Sequence, residues 1–286
     1  MKSMRIAGMV FAVVLGACAH QSELEVAPGS LYVAMGSSFA AGPGITAPAD
    51  DPPTRCARSR DNYAHQIARR RRLNLVDVSC GGATTRHVLD AWNELPAQLD
   101  AIRPETRLVT VTIGGNDLGY IGQLVMGACG NTNACPQSAP PNEQSYAALE
   151  SRMNQIAREV RRRARGARLV FVEYPSVLPE HGVCNATPLT ALQAENARAT
   201  ARRLADITAR VARENGDDLF PAARLSLGHD ACAAEPWMNG YPLPGHPVNG
   251  APYHPNLAGM TAIADALERE IWGGAGPTTY GGVGSR

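Results

Sequence analysis

Short apolar runs suited to buried strands alternate with helical patterns along this chain, and that alternation restricts its fold more than any other feature. Leu31 to Met35, Leu73 to Val78, Leu108 to Ile113 and Leu169 to Val172 are the runs. Asp61 to Arg72, Thr85 to Leu95, Gln144 to Arg165, Ala191 to Asn215 and Asn256 to Trp272 carry helical spacing. In the Gln144 segment, Tyr146, Leu149, Met153, Ile156 and Val160 fall on one stripe. Parallel strands need a crossover between them, usually a helix, and strands covered on both faces are continuously apolar. The sequence therefore predicts a three-layer α/β/α domain with a central, mostly parallel sheet. In such a domain, functional residues belong in loops at the carboxyl ends of the strands. Four stretches lack a period, 42–58, 127–142, 173–188 and 226–255, and each contains cysteine.

The amino end sets the compartment. Lys2 and Arg5 precede an apolar run from Ile6 to Leu15, the pattern of a signal peptide and too short for a comfortable membrane span. The run closes on Leu15-Gly16-Ala17-Cys18, which looks like a bacterial lipobox. The expected layout is a signal peptide over 1–17, a lipidated tether over 18–28 anchored at Cys18, a catalytic domain over 29–273 and a flexible tail over 274–286. The chain is then exported, a periplasmic or cell-surface lipoprotein, on the outer membrane if the cell is Gram-negative. Of seven cysteines, removing Cys18 leaves an even number, as a disulfide framework requires. Nearest-neighbour pairing is the simplest of the possible connectivities: Cys56–Cys80, Cys129–Cys135 and Cys184–Cys232. No two cysteines have Cys-x-x-Cys spacing, so a zinc site is not indicated. A formal charge of +1 argues against nucleic acid as partner, and the arginine clusters at 69–72 and 161–165 read as solvated helix ends.

Four short segments carry the chemistry. Gly36-Ser37-Ser38 follows the first strand, where a tight turn can present a hydroxyl at the sheet rim. Cys80-Gly81-Gly82 follows the second and exposes backbone N–H groups able to hold an oxyanion. Gly114-Gly115-Asn116-Asp117 follows the third; the Asn116 amide can serve the same oxyanion, and Asp117 suits a helix cap. Tyr253-His254-Pro255-Asn256 opens the last helix, with Pro255 as a helix-start residue, and presents an imidazole at the junction.

In this order the segments resemble the signature blocks of the SGNH hydrolases, the GDSL esterases and lipases, over about residues 30–272. The resemblance implies a flavodoxin-like α/β fold, Ser38 as nucleophile and His254 as general base. It implies an oxyanion hole from the Ser38 and Gly82 N–H groups and the Asn116 amide, and no metal or cofactor. The three consecutive cysteine pairs are similar to those of secreted actinobacterial lipases of the family. Two departures stand out. Ser37 occupies the place of the family's Asp in the first block, leaving a neighbouring serine as a minor rival nucleophile. Ala251 stands where the Asp of Asp-x-x-His would be. A Ser-His dyad is then expected, with the Ala251 backbone carbonyl holding the imidazole and Asp230 or Glu235 as other candidates. The expected activity is that of a serine esterase or lipase acting on small-molecule or lipid esters. A carbohydrate or peptidoglycan O-deacetylase and a phospholipase are alternatives within the family. A non-catalytic binding lipoprotein on the same scaffold is the alternative outside it. Trp237, Tyr241 and Tyr253 could line a sugar platform, though packing suits them better.

Overall fold

The computed structural model describes residues 25–129, 140–242 and 248–273. The signal peptide, Cys18 anchor, Cys135 and flexible tail that the sequence predicts lie outside the described residues. Five strands form one parallel sheet: β1 (Leu31–Gly36), β2 (Asn74–Asp77), β3 (Thr106–Thr112), β4 (Arg168–Val172) and β5 (Asp218–Phe220). Their order across the sheet is β2-β1-β3-β4-β5. The chain leaves β1 toward one edge, returns beyond it to β3 and continues to the other edge. Beyond the carboxyl ends of β1 and β3 the connections part, the position at which open α/β sheets place their binding loops.

Side chains alternate along each strand, so one sheet feeds two cores. Val33, Met35, Val109, Val111 and Phe171 pack with Leu149, Met153, Leu204 and Ile207 of α5 (Glu143–Arg163) and α6 (Ala191–Asn215). Tyr32, Ala34, Leu108, Val170 and Phe220 pack on the other face with Ile67, Met260 and Ile263 of α2 (Tyr63–Arg71) and α8 (Leu257–Trp272). The other helices among the described residues are α1 (Ser38–Ala41), α3 (Thr85–Leu89), α4 (Tyr120–Cys129) and α7 (Ala222–Leu225), with a 3-10 turn over Gln98–Ala101. This is the three-layer α/β/α arrangement expected from the sequence.

Local chemistry fixes the long helices. Thr190 and Gln193 form a reciprocal capping box at the start of α6, and left-handed Gly216 ends it. Asn62, Asn142 and Asn256 cap α2, α5 and α8 by accepting backbone N–H groups. Asn256 is thus the cap of α8, and Pro255 lies just outside the helix. α3 stops at Leu89, six residues short of the expected Leu95. Asn93 there is left-handed at φ +54°, Trp92 and Leu95 bond each other's backbone, and Pro96 disfavours helix in the residue before it. β5, α4 and α7 were not anticipated from the sequence. Disulfides join Cys56 to Cys80 and Cys184 to Cys232.

Candidate active site

Gly36 ends β1 at φ +138°, and a Cβ there would clash with the Thr112 carbonyl oxygen on β3. Only glycine lets the two strand ends approach so closely. Buried Gln98 braces the position: its carbonyl oxygen accepts the Gly36 N–H at 2.8 Å and its amide donates to the Gly36 oxygen at 3.0 Å. The chain then turns at Ser37 into α1, whose first residue is Ser38. At this first helical position the backbone N–H has no intrahelical acceptor.

The second segment is pinned from both sides. The Cys56–Cys80 bridge and a Gly81 N–H to Cys56 carbonyl bond of 2.9 Å hold its start. Gly82 follows at φ +81°, with the edge of the Trp92 indole 3.3 Å from where a Cβ would sit. Trp92 is held in turn by a stacked His87 ring at 4.0 Å and the Arg55 guanidinium at 3.9 Å. The third segment locks onto the second. Asn116 donates one amide N–H to the Ala83 carbonyl at 2.8 Å, which leaves its second N–H outside that bond. The Asp117 carboxylate accepts the Thr85 N–H at 2.9 Å and the Thr85 hydroxyl, so it caps α3.

His254 comes from the loop before α8, and its Nε2 lies 2.7 Å from the Ser38 Oγ. Its Nδ1 meets the Pro252 carbonyl oxygen at 2.7 Å. A carbonyl can only accept, so Nδ1 carries the proton and the Nε2 lone pair faces the serine hydroxyl. The expected partner, the Ala251 carbonyl, is one residue off. That oxygen accepts the His254 backbone N–H at 3.4 Å and the Asn239 amide at 3.2 Å instead. Tyr253 is the cause: its left-handed φ of +59° bends the chain so that Pro252, not Ala251, faces the ring. Asp230 and Glu235 do not serve the base either. Asp230 accepts the Cys232 N–H at 2.8 Å, while the Glu235 side chain is exposed and its carbonyl binds His229. Burial pushes the His254 imidazole down to about 4, and the Pro252 hydrogen bond only partly opposes this. The ring is therefore neutral at ordinary pH, the form a general base requires.

Ser37, the rival hydroxyl, is fully buried and lies 2.6 Å from the Tyr174 hydroxyl. Trp237 stacks on His229 at 3.9 Å and Tyr253 is fully buried, so both serve packing. Asn239 escaped the sequence reading. It is buried, its amide donates to the Asn249 and Ala251 carbonyls, and its N–H donates to the His254 carbonyl at 2.8 Å. Gln98 and Tyr174 were also missed, since lone polar residues outside any motif give no signal.

Residues 34–262 match the GDSL-like Lipase/Acylhydrolase family. The chain belongs to that family. Lipase 2 of Streptomyces coelicolor, a family relative, is 32% identical over 269 residues, covering 87% of this chain and 88% of its own length. The crystal structure of an extracellular lipase from Streptomyces rimosus superposes with a TM-score of 0.68 at 26% identity, covering 84% of this chain and 98% of that one. That of a phospholipase A1 from Streptomyces albidoflavus gives 0.68 at 25%, with the same coverages. As a GDSL-family member the chain is a carboxylic ester hydrolase.

Proposed function

We propose that this chain hydrolyses carboxylic esters through a Ser38–His254 dyad within a catalytic domain over residues 29–273. The observation that carries the reading is the 2.7 Å contact between Ser38 Oγ and His254 Nε2, across 216 positions of sequence. In the first step His254 Nε2 takes the Ser38 proton as Oγ bonds to the ester carbonyl carbon. The Ser38 and Gly82 N–H groups and the second Asn116 N–H receive the oxyanion. Collapse expels the alcohol, which leaves with the proton from His254. Water, deprotonated by the same nitrogen, then adds to the acyl-serine carbonyl; the bond to Oγ breaks, His254 returns the proton to Ser38, and the acid is freed. The Pro252 carbonyl holds the ring in the productive tautomer and faces the proton that stays on Nδ1 in the imidazolium.

Ser38→Ala and His254→Ala should each reduce hydrolysis of p-nitrophenyl esters by at least ~1000-fold. A Ser38→Ala chain as active as the wild type would defeat the assignment. The likeness to a phospholipase A1 structure favours lipid esters among substrates. A profile from acetate to long acyl chains, run beside phosphatidylcholine vesicles, separates a lipase, a phospholipase and a short-chain deacetylase.

The disulfides and the extracellular relative support export. A lipid anchor at Cys18 is supported by the Leu15-Gly16-Ala17-Cys18 leader. Incorporation of labelled palmitate that persists in Cys18→Ser would remove the anchor from the proposal.

A further inference from the structure

We propose that Tyr174 is a positioning residue, its hydroxyl holding the nucleophile turn and the Asn116 loop in register. This rests on the dyad reading above. Tyr174 lies two residues beyond β4, between the first and third segments, and is 7% exposed. Its hydroxyl shares a 2.6 Å hydrogen bond with Ser37 Oγ and accepts the Gly115 N–H at 3.2 Å. Ser37 immediately precedes the nucleophile, and Gly115 immediately precedes Asn116. One buried hydroxyl thus links the chain neighbours of two groups assigned to the oxyanion hole.

The ring makes the link stiff. A Cβ on Gly115 would lie 2.6 Å from the Tyr174 ring, so the loop backbone rests against it. Phe39 packs on the other partners: its ring centroid is 4.3 Å from that of Tyr174 and 4.9 Å from that of His254. Burial raises the phenol well above its usual range, so it stays protonated wherever the dyad works. Its single proton and its oxygen lone pairs suffice for the two bonds observed. Without the hydroxyl, the Gly115 N–H loses its acceptor, and the two segments keep only packing and the Ser37 N–H to Thr112 carbonyl bond at the strand ends. Oxyanion donors act only once charge has moved onto the ester oxygen. Small displacements of those donors therefore weaken the transition state far more than the bound ester.

The experiment uses the full chain with three variants, Tyr174→Phe, Ser37→Ala and the double variant, plus Tyr32→Phe as control. Tyr32 loses a comparable hydroxyl pair, 2.8 Å to Thr110 Oγ1, at the second residue of β1 and away from the site. Tyr174→Phe should lower kcat about tenfold with KM within about twofold, as expected for a positional loss. The double variant should be no slower than Tyr174→Phe, because both changes cut one link. Tyr32→Phe should lower Tm while keeping kcat. A wild-type kcat in Tyr174→Phe, multiplying losses in the double variant, or an equal kcat loss in Tyr32→Phe would each overturn the role. A wild-type chain inert to esters and to a fluorophosphonate probe would overturn the dyad and the positioning role together. An active wild type with an indifferent Tyr174→Phe overturns the positioning role alone.

Discussion

The imidazole of His254 leans on a peptide carbonyl rather than a carboxylate, and this sets its response to pH. Burial holds its protonation near pH 4, below the ordinary ~6.5 of histidine. The acid limb of kcat/KM should therefore lie well below pH 6.5, and a limb at 6.5 or above would show that the ring is not desolvated as described. Stability follows the same sign. The unfolded chain takes up this proton near 6.5 and the folded chain only near 4, so the contribution is present above 6.5 and is lost as pH falls between these values. Glu173 acts in the opposite direction. Burial raises its carboxyl to about 7, so its contribution is present below the ordinary ~4.3 and is lost as pH rises toward 7. In Glu173→Gln this opposing slope is removed, so urea stability should climb more steeply from pH 4.5 to 6.5 than in the wild type. Tyr253, beside the base, has a buried hydroxyl with no hydrogen-bond partner among the described residues. Tyr253→Phe removes that group without changing the backbone turn. It should leave kcat intact and stability unchanged or raised by up to ~1 kcal/mol in urea unfolding.

At the level of elements, legibility tracked how much of each signal was local. α6 runs from Ala191 to Asn215, as the sequence predicts, because Thr190 and Gly216 bracket a long periodic stripe. β5 holds three residues, too few for any period, and α4 is interrupted by Gly122 and Gly127 within an apolar run. The four chemical segments were readable because three place a required glycine or polar residue after a strand and the fourth places a histidine just before the last helix. The Pro252 contact was not, because it depends on a left-handed tyrosine, a conformation its side chain disfavours and no motif announces. Gly36 shows what a readable glycine does. In Gly36→Ala the new methyl would meet the Thr112 carbonyl on the neighbouring central strand, at a φ that L-residues rarely adopt. The two strands cannot separate there without breaking the Ser37 N–H to Thr112 carbonyl bond between them. Gly36→Ala should lose several kcal/mol, on the order of the largest single-residue effects, and should yield little folded protein by circular dichroism. Gly29→Ala, where a Cβ meets nothing within 4 Å, should cost far less, mainly through its positive φ.

Across the whole molecule, loops from four distant parts of the chain meet at the carboxyl end of the sheet, and covalent bridges hold them there. Cys56–Cys80 spans 24 positions and Cys184–Cys232 spans 48, so loop-closure entropy assigns each ~3–4 kcal/mol, slightly more to the second. Their effects on catalysis should differ more than their effects on stability. The first bridge ends one residue before Gly81, whose N–H bonds the Cys56 carbonyl, so its loss loosens the glycine assigned to the oxyanion. The second ties the 173–188 loop to the start of the loop carrying His254. The base itself is fixed further along, by the Asn239 contacts with Ala251 and with the His254 carbonyl. Paired replacement of Cys56 and Cys80 by alanine should therefore lower kcat as well as Tm. The same change at Cys184 and Cys232 should lower Tm by a similar amount yet keep most of kcat when assayed well below the new midpoint. Equal kcat losses from both pairs would mean that the carboxyl end of the sheet moves as one unit, with no separate anchor for the oxyanion loop.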